Sequence, residues 1–422
     1  MKKLLLLSLF LILAITIIAI VVSGGTSVSA GPSHALWWPV QSVDTMKYSR
    51  DTALAEINNP AFDSVIDTQV KAIAGTGATH VSIATPYDEQ FIPILTRWVM
   101  AARKYHLNVW FRGNFSGWEG WFGYAKITRD QHLQMTVAFI KNHPDLFADG
   151  DIFTPCPECE NGGPGDPRQT GDVAGFRQFM ITEYQAAQKA FNDQHLQVAS
   201  NYASMNGDVV RLIMNRTTTI AMGGLVVVDD YVSSPDKLVT DIKQIADISG
   251  GQVVLGEFGA PIPDINGSLT DQEQAAWLDQ ALNLLSAAPQ ISGLNYWTGV
   301  GSSTAIWNDD GSPKPAVNVL THYFKPDQFT GFIKNSLDEP LPSARIFYHQ
   351  RAYSADAAGA YHLPALAPPQ QITVSAPGYK DQGVLLASSQ EIPTVTLIKN
   401  QPDLLFWLRD LLFRLTHNII RT

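Results

Sequence analysis

The chain has 422 residues and only two cysteines, Cys156 and Cys159. Two cysteines cannot staple a fold of this size, and with no histidine beside them they cannot complete a four-ligand zinc site. The histidines His80, His106, His132, His143 and His195 are scattered without HxxxH spacing, so no metal is expected. Charge is also scarce: 16% of residues are charged and the net charge is −10, with no run of Lys or Arg. Nucleic-acid binding rests on clustered cations, so that class of partner is excluded. No GxGxxG or phosphate-binding loop follows any apolar run, and no cofactor is expected.

What is present is apolar mass. Hydrophobic residues make up 45% of the chain, with 10 Trp, enough for one large domain of ~250–300 residues and a smaller one. The start, Met1-Lys2-Lys3 followed by the uncharged run Leu4–Val22, reads as an export segment over residues 1–30, either cleaved near Val28-Ser29-Ala30 or retained as an anchor. The rest of the chain is therefore expected outside the cytoplasm, secreted or held at the surface of a bacterial cell. There the cysteine pair either closes a small disulfide or stays as two thiols.

Over residues 31–326, strand-like and helix-like runs alternate. The strand candidates are Ala35–Val40, Thr79–Thr85, Leu107–Gly113, Asp151–Cys156, Gln197–Tyr202, Gly224–Asp229, Gln252–Gly256 and Ser292–Trp297. Helical patterns between them include Glu89–Tyr105, Arg129–Asn142, Ala174–Asn192, Pro235–Ser249 and Thr270–Ala287. This alternation predicts an α/β fold, a (β/α)8 TIM barrel with its functional residues just after the strands. Residues 327–400 change to short alternating runs between Gly and Pro and predict a small all-β sandwich. Residues 401–422 place Leu404, Leu408, Leu411, Leu412 and Leu415 on one helical face beside Arg409 and Arg414, a helix for packing on the protein or touching a membrane surface.

Two strand ends carry carboxylates. Gln252–Gly256 leads into Glu257 and Phe258-Gly259, and Asp151–Cys156 into Pro157-Glu158-Cys159-Glu160. Paired carboxylates at the ends of separate barrel strands are the arrangement that hydrolyses glycosidic bonds. Other polar and aromatic residues fall at the same ends: Arg112 and Asn114 after the third strand, Asn201 in the fifth, Tyr231 after the sixth and Trp297 at the eighth. Trp37, Trp38, Trp118, Trp121 and Trp307 suit either the core or stacking on sugar faces. Asp229 and Asp230 are expected to meet backbone or solvent, and Asn308-Asp309-Asp310-Gly311 to form an exposed turn.

The run Gly256-Glu257-Phe258-Gly259, together with the eighth-strand Trp297, resembles the clan A glycoside hydrolases, the cellulase-like enzymes in particular. The resemblance implies Glu257 as nucleophile and a Glu after the fourth strand as acid/base. It also implies Trp297 as the floor of the subsite at the cleaved bond, and Tyr231 or Arg112 as the group orienting the nucleophile. A carbohydrate is the implied substrate. One departure stands out: such enzymes carry Asn-Glu-Pro after the fourth strand, whereas this chain has Pro157-Glu158-Cys159-Glu160-Asn161. Glu158 is the expected proton donor, being nearest the strand, with Glu160 the alternative. The segments GFIKNSLDEPLPSARIF, AGAYHLPAL and ITVSAPGYK resemble the carboxypeptidase regulatory-like repeat, which implies an accessory module.

Overall fold

The computed structural model describes residues 35–389 and 393–400. The export segment and the C-terminal helix expected from the sequence lie outside them. No helix among the described residues is long and apolar enough to cross a membrane.

Eight parallel strands form one sheet: β1 (Val40–Asp44), β2 (His80–Ile83), β3 (Asn108–Phe111), β4 (Ile152–Phe153), β5 (Ser204–Asn206), β6 (Leu225–Asp229), β7 (Gln252–Phe258) and β8 (Ile291–Tyr296). Their order is β4-β3-β2-β1-β8-β7-β6-β5. The sheet curls until β4 meets the segment before β5 at the parallel bridge between Ile152 and Ala199, backed by Phe153 N donating to Ala199 O at 2.8 Å. Helices follow the strands: α1 (Asp63–Gly75), α2 (Ile92–Lys104), α3 (Arg129–Asn142), α4 (Val173–Asp193), α5 (Gly207–Ile213), α6 (Pro235–Ser249), α7 (Asp271–Ser286) and α8 (Pro315–Phe324).

Local chemistry sets these helices. Thr128 with Gln131 and Thr270 with Glu273 form capping boxes at the starts of α3 and α7. Ser234 caps α6, and Gly250 ends it in the left-handed conformation.

Alternation along the strands divides the core in two. Val43, Val81, Val109, Phe111, Val228, Val253 and Leu255 face the helices in the main cluster, whereas Val40, Trp110, Ile152, Val227 and Val254 form a separate apolar layer. The alternate positions nearer the strand ends (Asp44, Arg112, Ser204, Asp229 and Asn295) are polar and buried. The interior is thus apolar at one end and ionisable at the other.

Two sequence expectations shift. The first strand is Val40–Asp44 rather than Ala35–Val40: Gln41, Ser42 and Asp44 are polar, but they are buried against partners such as Phe324 O and Ser82 Oγ. The fifth strand is Ser204–Asn206, and the apolar run Gln197–Tyr202 supplies the bridge to β4 instead.

Beyond α8 lie two smaller sheets, one of four strands, β11-β10-β13-β14, and one of three, β12-β9-β15. They comprise β9 (Gln328–Asn335), β10 (Arg345–Tyr348), β11 (Arg351–Ser354), β12 (Ala360–Pro364), β13 (Gln370–Ser375), β14 (Gln382–Leu386) and β15 (Thr394–Leu397). Arg351 joins them to the end of α7: its guanidinium donates to the carbonyls of Ser286 at 2.6 Å and Ala288 at 2.8 Å, the first an acceptor in the last turn of the helix.

Candidate active site

Glu257 enters the interior through a break in strand register. Along β7, Val254 faces inward and Leu255 outward; Val228 pairs with Leu255 while Asp229 pairs with Glu257, so Gly256 is an extra residue. With regular alternation through residue 256, Glu257 would share the outward face of Leu255; the bulge turns it inward instead. Only glycine fits, because a Cβ at residue 256 would overlap Asp229 Oδ1 and crowd Val227 and Ser204. The bulge also turns the Gly256 carbonyl inward, where it accepts from Arg112 Nη1 and, at 2.8 Å, from Asn295 Nδ2.

The buried guanidinium of Arg112, one residue past β3, is the hub. Its Nη2 donates to Glu257 Oε1 at 3.0 Å, to Asp229 Oδ2 at 3.1 Å and to Ser204 Oγ at 3.2 Å. The second Glu257 oxygen accepts from the Tyr231 hydroxyl at 2.8 Å. Tyr231 meets Trp297 edge to face at 5.7 Å, and both are half-buried at the mouth.

One cation thus faces two carboxylates. Burial opposes charge on Arg112, but Asp229 and Glu257, joined by Asp44 and Glu158, hold it protonated beyond its usual range. Burial likewise pushes Asp229 up to about 7 and Glu257 upward, with Arg112 pulling both back and the charge of Glu158 adding to the rise.

The turn after β4 is held differently. Cys156 and Cys159 form a disulfide, closing the alternative left open by the sequence. Glu158 lies inside that loop with a left-handed φ of 43° and donates its N–H to Ser204 O at 2.9 Å. Its carboxyl makes no side-chain hydrogen bond among the described residues, and it is the only partly exposed residue between Asp151 and Glu160. Its charge nevertheless adds, behind burial, to the raised positions of Tyr231, Glu119 and Glu160 as well as Glu257.

Glu160 is buried: Oε1 accepts from Asn206 N at 2.7 Å and Asn206 Nδ2 at 3.0 Å, while Oε2 has no partner. Burial pushes it to about 7.

The structure places four expected sugar contacts elsewhere. The Asn114 carboxamide is consumed inside the protein. Its Oδ1 accepts from Phe115 N at 2.8 Å and pairs with His132 Nε2 at 2.9 Å, and its Nδ2 donates to Glu119 Oε1 and Cys156 Sγ. Trp118 stacks on Phe179 at 5.3 Å and donates Nε1–H to Cys159 O at 3.1 Å, bracing the turn from beneath. Trp37 packs on Tyr348 and His349, ahead of the start of β1 and away from the strand ends that hold Glu257. Asn201 sits beside Gly223 and Tyr184, at the start of β6 rather than its end.

Asp229, expected to meet backbone or solvent, pairs with Arg112 instead, because alternation along β6 turns it inward above Val227. Sequence reading also missed Ser204, Asn295 and Glu119. Glu119 was legible only as one more acidic loop residue, yet burial, with Glu158 and Glu160 adding, pushes it to about 7. No group of three His, Cys, Asp or Glu side chains among the described residues is placed to hold a metal ion.

No protein-family model and no curated protein matches the sequence. Similar solved structures include β-glucuronidase 3 of Bacteroides uniformis (14% identity, 81% of this chain, 47% of that chain, TM-score 0.44). A fungal β-1,4-galactanase is 13% identical over 68% of this chain and 99% of its own, with a TM-score of 0.48. The β-glycosidase BGL167 is 15% identical over 69% of this chain and 96% of its own, with a TM-score of 0.46. The chain spans about half the length of the first of these. The functional reading rests on the site itself.

Proposed function

We propose that this chain is an extracellular retaining glycoside hydrolase, a (β/α)8 barrel followed by a small β-sandwich, that cleaves O-glycosidic bonds of an oligo- or polysaccharide. One observation carries the reading: a carboxylate at the seventh strand end has each oxygen engaged by a separate donor, Arg112 at 3.0 Å and Tyr231 at 2.8 Å. Two donors aimed at two oxygens stabilise the ionised form, and they orient it for in-line attack.

Glu257 attacks the anomeric carbon while Glu158 gives its proton to the departing glycosidic oxygen, leaving a glycosyl ester on Glu257. Glu158, now a carboxylate, takes a proton from water, whose oxygen displaces Glu257 and releases the sugar with its anomeric configuration kept. Trp297 is the floor for the sugar at the cleaved bond. The Leu4–Val22 segment exports the chain or anchors it, and residues 401–422 either pack on the protein or touch a membrane surface.

A 2-deoxy-2-fluoroglycoside with an activated leaving group should label the Glu257 peptide stoichiometrically. Glu257→Gln should abolish labelling and lower kcat by about 10⁴-fold or more. Undiminished hydrolysis by that variant overturns the assignment. A second reading, a carbohydrate binder without turnover, is favoured by Pro157 standing where the resemblance calls for Asn. It predicts sugar binding with no release of an aryl aglycone by the unaltered protein.

A further inference from the structure

The 297–311 segment does more than deliver Trp297. Its outer side forms an open hollow of about 220 Å³ with Tyr48 and α1, lined by Tyr48, Ser64, Gln69, Val300, Asp309 and Gly311. A much smaller crevice of about 20 Å³ shares Gln69, Val300 and Gly311 with it and reaches Trp307. The hollow is open to solvent, as a surface that cradles a single sugar ring must be.

This groove adjoins the mouth of the site on both walls. Lys47 Nζ lies 5.7 Å over the Trp297 ring, and the next residue, Tyr48, lines the groove. On the opposite wall Gly301 presses on both: a Cβ there would stand 2.9 Å from Lys47 Cβ and 3.2 Å from the Tyr48 ring. The lining mixes an aromatic edge with polar groups that the protein leaves unused. Among the described residues, neither the Tyr48 hydroxyl, the Gln69 amide nor the exposed Asp309 carboxylate has a hydrogen-bond partner, whereas neighbouring Asp310 is occupied by Ser312. Hydroxyl-rich ligands with apolar ring faces match such a surface, and an acidic carboxylate disfavours anionic ones.

We infer that this groove is a distal subsite for a neutral sugar of the same saccharide chain that occupies the Glu257 site, so that the substrate is a multi-residue glycan rather than a monoglycoside. The inference rests on the glycosidase reading above for its alignment with Trp297, but it has a binding readout of its own.

Neutral gluco-, galacto-, manno- and xylo-oligosaccharides of two to six units are titrated into the full chain by calorimetry and then assayed for hydrolysis. At least one series should bind more tightly with each added sugar until the groove is filled. Asp309→Ala with Tyr48→Phe should weaken the longest member about tenfold relative to the disaccharide. The same pair should lower the ratio of kcat/KM on that oligosaccharide to kcat/KM on its aryl monoglycoside by a similar factor. Asp309 is exposed and Tyr48→Phe keeps its ring on Phe62, so unchanged thermal melting checks the fold. Affinity independent of chain length, indifference of that ratio to the double variant, or failure of all four series to bind overturns the subsite. Chain-length-dependent binding that responds to the variants without any hydrolysis upholds the subsite while removing the glycosidase reading.

Discussion

The two carboxylate-bearing ends of the barrel are built on opposite plans. At the end of β7, position comes from the sheet: a single-glycine bulge turns Glu257 inward, and a buried arginine and a tyrosine each hold one of its oxygens. After β4, position comes from bracing of the turn itself. A disulfide, a left-handed φ and the Trp118 indole N–H fix the Cys156–Glu160 turn, while the Glu158 carboxyl has no side-chain hydrogen bond among the described residues. A nucleophile must be ionised and aimed, which calls for donors. A proton shuttle must exchange its proton within one turnover, and permanent donors to its carboxylate would hinder that.

The contrast is sharpest between Glu158 and its neighbour. If Glu158 is the shuttle, Glu158→Gln should cut kcat/KM by about 10²–10⁴-fold for glycosides with poor leaving groups, and much less for dinitrophenyl glycosides, which need no proton. Glu160→Gln should show no such dependence on the leaving group, since its carboxyl is buried with Oε1 held by Asn206. A leaving-group-dependent loss in Glu160→Gln instead would exchange the two roles.

Removing the staple tests that bracing. Cys156→Ser with Cys159→Ser opens a loop of sequence separation 3, and a loop that short is worth about 2 kcal/mol of stability in the chain-entropy account. Urea unfolding should register a loss of that order. At temperatures where the variant is fully folded, kcat should fall by about tenfold with little change in KM, because a displaced proton donor affects the transition state more than binding. A stability loss with kcat unchanged would show that Trp118 and Ser204 hold the turn unaided.

The same contrast explains what was legible in the sequence. Glu257, Arg112, Tyr231 and Trp297 could be read because strand periodicity and a familiar run place side chains on the interior face. The bulge that puts Glu257 there was not legible, since Gly256 looks like any strand-end glycine until Asp229 and Ser204 are seen against it. Asn114, Trp118 and Trp37 lie apart from Glu257 for one reason: polar or aromatic residues near strand ends serve the core as readily as a ligand. What decides is a distant partner, His132, Phe179 or Tyr348, that no spacing reveals. The first strand was misplaced because its buried residues are polar and hydrogen-bonded, against the rule that apolar runs mark buried strands.

Sharing one cation between two carboxylates gives a pH test at the strand-built end. Burial raises Glu257, and the charge of Asp229 adds to that rise. Asp229→Asn removes the added charge and leaves Arg112 to Glu257 alone. Glu257 should then ionise at lower pH and, if it is the nucleophile, move the acidic limb of the kcat/KM profile downward. An upward move, or none, would mean that Asp229 is already neutral where Glu257 titrates.

The smallest expected signal is a slope in stability, and it separates the two ends again. Glu119 and Glu160, both packed against the stapled turn, are raised by burial to about 7 from an ordinary 4.5. A carboxyl with a raised folded-state pKa keeps protons that the unfolded chain has released, so its contribution is complete below about 4.5 and is lost as pH climbs through about 7. Stability should therefore decline across that window, measured as the urea midpoint at constant ionic strength. Glu160→Gln, which retains shape and an acceptor for Asn206, should flatten the decline, and Glu119→Gln should flatten it further. Asp229, also near 7 but beside Arg112, provides the contrast. If Asp229→Asn alone flattened the slope, the arginine-centred end would be the one strained by its charges at neutral pH. The turn would then be a rigid bracket whose acids titrate without cost to the fold.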